Sequence, residues 1–308
     1  MSAAAELLAD GGAAAAEDEF FRSTEFLDAE GATHSLRIPA PGGDLVAPLC
    51  LREIKEGGRD ATSPYGFPGL SGRVDAPLDP QEAGLGATEL VSVFLRHRLD
   101  SVPLAAPTRR GTVQIADPSL PPKSRMSDRQ QIRKNQRRGY EVEVLRGAES
   151  GAGDRVGFLA AYTETMERAN AAERYFYGAG YFDAALAFPD SWLVIAHQPG
   201  GGVAAGSIAA RSDGMLHYYL SGTGNDHIRE SPMKNVVAAL CDLSAELDLP
   251  LNLGGGLAPG DRLEEFKRGF ANREEPFHTS ELVCDREAYE RLAAGADPGG
   301  FFPAYRAP

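Results

Sequence analysis

No stretch of this sequence approaches the roughly 18 to 20 consecutive apolar residues that a membrane-crossing helix requires, so no membrane span is expected. The first residues, MSAAAELLADGGAAAAEDEF, have acids but no basic segment ahead of an apolar one. They do not read as a secretory signal, and residues 1–17 are expected to form a disordered leader. Cysteine is scarce: Cys50, Cys241 and Cys284 are far apart, odd in number and without CxxC or metal-ligand spacing. Reduced structural thiols in a cytoplasmic protein are expected. Also missing are a GxSxG elbow, a Ser-His-Asp order and HExxH, which argues against covalent or metal-assisted hydrolysis. Positive charge is in deficit too. Lys and Arg number 31 against 44 Asp and Glu, and a net charge of −13 disfavours a general nucleic-acid binder, whose affinity comes from neutralising phosphates.

One segment departs from that balance. PKSRMSDRQQIRKNQRRGY carries Lys123, Arg125, Arg129, Arg133, Lys134, Arg137 and Arg138 against a single acid, Asp128. Such a run is either a solvated helix face or a phosphate-binding one. Elsewhere, 308 residues with 43% hydrophobic content suffice for two domains with separate cores. Phe20 to Leu51 and Ala87 to Leu99 contain strand-like runs, LVAPLCL and ATELVSVFLRHRL, on either side of a Pro- and Gly-rich loop. Within that loop SPYGFPG places Tyr65 and Phe67 either along a pocket or as staples for the loop itself.

A helix capped by Ser127 or Asp128 and stopped at Gly139 is expected next, followed by the strand YEVEVL. A helix from Gly157 to Asn170 follows, and then the aromatic segment ERYFYGAGYFDAAL. SWLVIAH, VAAGSIAAR and MLHYYLSGTG are three strands joined by turns, apolar enough for a sheet covered on both faces. Ser231 and Pro232 suit the N-cap and first position of a helix with the stripe Val236, Val237, Leu240, Leu243 and Leu247. The strand LPLNLGGG and a helix around Asp261 to Phe270 complete the order.

IRKNQRRGYEV, TMERANAAERYFY, YYLSGTG, SPMKNVVAALCDLSAELDLPLNLGGG and LEEFKRGF, in this order over Ser127 to Tyr289, resemble the Fem family of peptidoglycan-bridge peptidyltransferases and their relatives. The N-terminal half matches more loosely, through SPYGFPG. The resemblance implies an α+β fold of two GNAT-like halves, each a mixed, mainly antiparallel sheet flanked by helices. The expected division is 18–122 and 123–296, with a tail at 297–308. It further implies transfer of an amino acid from an aminoacyl-tRNA, as co-substrate, to the amine of a peptide or small-molecule acceptor, with no metal and no cofactor. The chain is shorter than the cell-wall enzymes and has no inserted coiled-coil arm, so antibiotic or natural-product assembly is as open as the cell wall.

Attack of an amine on an ester needs a neutral amine, a home for the oxyanion and a route for the proton. Phe266-Lys267 matches the family's Phe-Lys pair, which implies that Lys267 stabilises the tetrahedral intermediate or the tRNA end; read by itself, it is a solvated lysine beside Glu264, Glu265 and Arg268. Gly255, in the run Gly254 to Gly256, brings backbone close to a ligand or simply turns the chain. Thr165, Arg168, Tyr175, Tyr177 and Tyr181 fall where the family holds its acceptor, although tyrosines also pack on sheets. Tyr218 and Tyr219 point to opposite faces of their strand, one to the core and one to a cleft. Arg133, Lys134, Arg137 and Arg138 are the expected tRNA contacts. Glu173, His217 and His278 are available bases without a convincing arrangement. An acyl-CoA-dependent GNAT is the nearest alternative, but SGTGNDHIRESPMKN lacks the Q/R-x-x-G-x-G/A that holds a pyrophosphate at a helix start. A non-catalytic binding protein of the same fold is the other.

Overall fold

The computed structural model describes residues 4–297 and 299–307. In chain order the strands are β1 (Glu6–Leu8), β2 (His34–Ile38), β3 (Leu45–Glu53), β4 (Arg59–Thr62), β5 (Ser92–Arg96), β6 (Thr108–Ala116), β7 (Glu141–Arg146), β8 (Ser191–His197), β9 (Val203–Ser212), β10 (Met215–Thr223), β11 (Leu251–Asn252) and β12 (Arg273–Val283). The helices are α1 (Thr24–Ala29), α2 (Met126–Arg137), α3 (Ala152–Arg168), α4 (Ala179–Ala187), α5 (Met233–Leu247), α6 (Arg262–Arg268) and α7 (Arg286–Ala293). The chain divides into two compact units, residues 1–111 with 276–308 and residues 112–275. This division replaces the expected boundaries at 18–122 and 123–296, because the chain returns to unit 1 through β12.

In unit 1, β1 to β4 pair antiparallel in sequence order, β4 pairs parallel with β5, and β5 pairs antiparallel with β12. Alternate residues of these strands, among them Leu36, Ile38, Leu45, Leu49, Val93 and Leu95, form one core. A knot of Phe20, Phe21 and Phe26, with ring centroids 5.0–5.5 Å apart, surrounds α1. The expected leader is a correction: β1 lies within it, and Ala5 and Ala15 are buried. Residues 1–3 of that leader lie outside the described residues. The expected tail is also engaged. Arg306 Nε donates to Asp60 Oδ2 at 2.6 Å and Tyr305 Oη to the same oxygen at 3.0 Å. Asp60 is fully buried and Arg52 also contacts it at 2.8 Å; a polar group so far from water needs such partners.

In unit 2, β7 to β10 pair antiparallel in sequence order, β10 pairs parallel with β11, and β11 pairs antiparallel with β6. Strands β8 and β9 are buried on both faces, as their apolar runs require, with α5 on one face and α3 and α4 on the other. Gly222 lets α3 lie directly on the sheet, since a Cβ there would stand 2.4 Å from Tyr162 N. The stripe Val236, Val237, Leu240 and Leu243 buries α5 against β8 to β10. Both caps differ from expectation. Pro232 is itself the N-cap of α5 while Ser231 sits at φ 48°, and α2 begins at Met126, at least two residues before the expected start, without a side-chain cap. Buried Asn135 ties α2 to α5 through the Asn235 side chain at 2.8 Å.

Candidate active site

The parallel pairing of β10 with β11 lasts two residues, Leu216 with Leu251 and His217 with Asn252. Beyond it β10 runs on to Thr223 beside β9, while the chain leaving β11 turns away at Gly254 (φ 76°) and follows β6, with Leu253 and Gly254 bonded to Gln114. A shift in register between Tyr218 and Leu220 marks a bulge at the start of this parting. Parting strands at their carboxyl ends leave a wedge, the usual place for a ligand in an open sheet.

Lys267 stands in that wedge. Asp261 caps α6 through Glu264 N at 2.7 Å, and the helix buries Phe270 and half-buries Phe266 on the α5 side of the sheet. This packing draws Lys267 inward until it is only 8% exposed. Its Nζ donates to Gly255 O at 2.7 Å and lies 5.9 Å from the centroid of the Tyr218 ring. Among the described residues the ammonium makes that one hydrogen bond, so two of its N–H groups remain to donate. Burial lowers its pKa to about 8, the Asp261 carboxylate acting weakly the other way. The alternative of a solvated lysine on a charged helix is thereby set aside. Burial raises the Tyr218 hydroxyl to about 12, and it donates to Ser221 Oγ at 2.6 Å.

The other expected residues lie elsewhere. Tyr219 points to the opposite face, where its hydroxyl meets that of Tyr181; Tyr177 stacks on Tyr181 with centroids 3.9 Å apart, and Tyr175 accepts from Tyr162 Oη at 2.8 Å through its carbonyl. Thr165 and Arg168 differ from expectation. Thr165 Oγ1 accepts from Thr223 N at 2.8 Å, and Arg168 donates to Thr223 O at 3.2 Å, to Thr165 and to Asn225, so both brace the end of β10 instead of standing open as a substrate clamp. Beside them, residues from Gly157 to Glu164 of α3 and from Gly224 to His227 line a pocket of about 210 Å³. Tyr65 belongs to unit 1, where its amide donates to Glu30 Oε2 at 2.7 Å, and Phe67 staples its loop to Phe21 and Phe277.

Arg133, Lys134 and Arg137 are exposed on α2, and no ion pair engages them among the described residues; Arg138 contacts Glu230 at 3.3 Å. The start of α2 touches α6, since Arg125 Nη2 donates to Glu265 O at 3.0 Å. The basic stripe therefore leads to the helix that bears Lys267.

A family model for the acetyltransferase (GNAT) domain matches residues 123–268. That stretch lies within unit 2. Among solved structures, the chain is similar to the C-terminal domain of a proposed lysylphosphatidylglycerol synthetase from Agrobacterium fabrum, at 16% identity and a TM-score of 0.61, covering 90% of this chain and 93% of that one. It is similar to FemX at 12% identity and a TM-score of 0.59, covering 87% and 92%. L-PGS from Bacillus licheniformis follows at 13% and 0.57, covering 85% and 87%. Likeness at these identities shows the fold. Among curated protein sequences none matches the chain.

Asn252 was not singled out from the sequence, and His217 only as an available base. Asn252 and His217 sit at the root of the wedge, 1% and 3% exposed. A polar residue in the short apolar strand LNL was the available signal. His217 is no free base, because Nδ1 accepts from Asn252 Nδ2 at 3.1 Å and Nε2 donates to Ser212 O at 3.2 Å. Among the described residues no cluster of three His, Cys, Asp or Glu side chains is arranged to hold a metal ion, and no helix is long and apolar enough to cross a membrane.

Proposed function

We propose that the GNAT domain is an aminoacyltransferase that moves an amino acid from an aminoacyl-tRNA to the amine of a peptide or small molecule, in natural-product assembly or the cell wall. The observation that carries this reading is the buried Lys267 ammonium, with two free N–H groups, where β10 and β11 part. The amine attacks the ester carbonyl, a C–N bond forms, the C–O bond to the tRNA ribose breaks, and the amine's proton ends on the departing ribose oxygen. Lys267 donates to the carbonyl oxygen as its charge grows, an interaction whose loss costs about 10²–10³ in rate at comparable sites. Gly255 holds the ammonium and Phe266 anchors its helix. The cations on α2 suit the phosphates of a tRNA acceptor stem. Tyr175, Tyr177 and Tyr219, on the other face, are proposed to meet the acceptor.

The GNAT family match itself favours a second reading, an acyl-CoA donor. One feature weighs against it: no pyrophosphate motif precedes α5. Purified protein incubated with a mixture of charged tRNAs, and separately with acyl-CoAs, decides between them. Loss of ester only with a candidate amine present is expected; loss of thioester alone would overturn the tRNA reading.

A further inference from the structure

Lys267 is held by one carbonyl, and that carbonyl belongs to a run of glycines with no side chains to fix its peptide planes. The restraint comes from the strand before it. Gly254 N donates to Asn252 Oδ1 at 2.8 Å, Asn252 Nδ2 donates to His217 Nδ1 at 3.1 Å, and His217 Nε2 donates to Ser212 O at 3.2 Å. Asn252 and His217 are register partners across β11 and β10. An amide has one accepting end and one donating end, and both are used here. The orientation of the Asn252 side chain is thereby determined, and His217 is kept as the neutral Nε2–H tautomer. The chain of bonds runs from the buried Ser212 carbonyl to the left-handed Gly254, one residue from the carbonyl that holds the ammonium.

We propose that Asn252, braced by His217, is a positioning residue for Lys267 in the acyl-transfer step. It touches no substrate; it sets the glycine turn, and the turn sets where the ammonium stands. The proposal rests on the reading that Lys267 faces the acyl oxygen. Released from Gly255, the ammonium would move towards water and towards Asp261, the carboxylate that already acts on it. A role confined to fold stability would leave the ionisation of Lys267 unchanged in the folded protein.

The test follows Lys267 by trace acetylation across pH, read by mass spectrometry on the full chain, in the wild type and in Asn252→Ala and Asn252→Asp. Asn252→Ala is expected to move the Lys267 titration upward from about 8 and to lower kcat at least tenfold with KM within twofold. Asn252→Asp keeps an acceptor for Gly254 N and lets His217 answer the second oxygen by taking up a proton, so it is expected to retain the lowered titration and most of kcat. An unchanged titration in folded Asn252→Ala overturns the proposal. Should that variant fail to fold, His217→Leu is read in its place: an upward shift supports the brace, and a wild-type value removes it. Turnover and titration fail separately. Intact transfer with no shift discards only the brace, while wild-type protein that transfers from no donor discards the reading beneath it.

Discussion

In unit 1, β4 and β5 pair in parallel at Ala61 with Val93 and Thr62 with Phe94; in unit 2, β10 and β11 do so at Leu216 with Leu251 and His217 with Asn252. The strands of both units run through the same sequence of antiparallel and parallel pairings, so each reaches a point where a parallel pair has to part. Unit 1 closes the gap with its own chain. Ser63 N donates to Phe94 O at 2.9 Å, Arg96 N to Ser63 Oγ at 3.0 Å, and Gly69 N to Arg96 O at 3.1 Å, so the SPYGFPG loop takes the bonds a ligand would need. Unit 2 inserts α5 between the paired strands, turns away at Gly254 and leaves a buried cation at the parting. The same topology makes a joint filled by its own loop in one unit and a candidate site in the other, and the connection between the paired strands differs between them.

The largest expected effect breaks that contrast at its centre. Lys267→Ala should lower turnover by about 10²–10³ while circular dichroism stays that of the wild type, and an unchanged rate would remove the residue from the mechanism. Lys267→Met carries a related expectation for stability. The folded value of about 8 lies below the ordinary 10.5, so between those pH values the unfolded chain binds more protons and wild-type stability rises with pH. Methionine should therefore stabilise the protein at pH 7, by on the order of 3 kcal/mol before relaxation, and the gain should fade above pH 10. Thermal unfolding across pH measures this; a loss of stability at pH 7 would contradict the burial argument.

In unit 1 the corresponding test concerns stability alone. Arg306→Ala leaves the buried Asp60 short of a partner and should cost about 1–3 kcal/mol in denaturant unfolding, with kcat of the folded protein unaltered. Smaller still is the effect expected on α2. Each of Arg133, Lys134 and Arg137 changed to Gln should flatten the salt dependence of tRNA binding by about one unit of slope, as filter binding at several salt concentrations would show. Slopes that do not move would detach α2 from the donor.

Much of unit 2 was legible because its signals are local. Three apolar strands with turn residues, the Val236 to Leu243 stripe and the helix around Asp261 to Phe270 each depend on a few neighbouring residues, and each appears in the structure where the pattern places it. Ser231 misled because the chain there takes a left-handed turn, a conformation that local cap preference does not register. The N-terminal segment misled because Ala5 and Ala15 are buried by contacts distant in sequence, invisible to composition. Within the site, Phe266-Lys267 could be singled out only by resemblance, since burial of a lysine among Glu264, Glu265 and Arg268 depends on Phe270 and the β10 face. Arg168 and Thr165 read as ligand groups because side-chain chemistry alone does not reveal that Thr223 would occupy them.

The most direct measurement is the pH dependence of single-turnover aminoacyl transfer from charged tRNA by the wild type and by Lys267→Arg. If Lys267 works as an ammonium at the acyl oxygen, the wild-type rate declines on the alkaline side with a midpoint near 8, and arginine, which keeps its charge, removes that decline. A wild-type rate that stays level through pH 9, or an alkaline decline that persists in Lys267→Arg, would contradict the account.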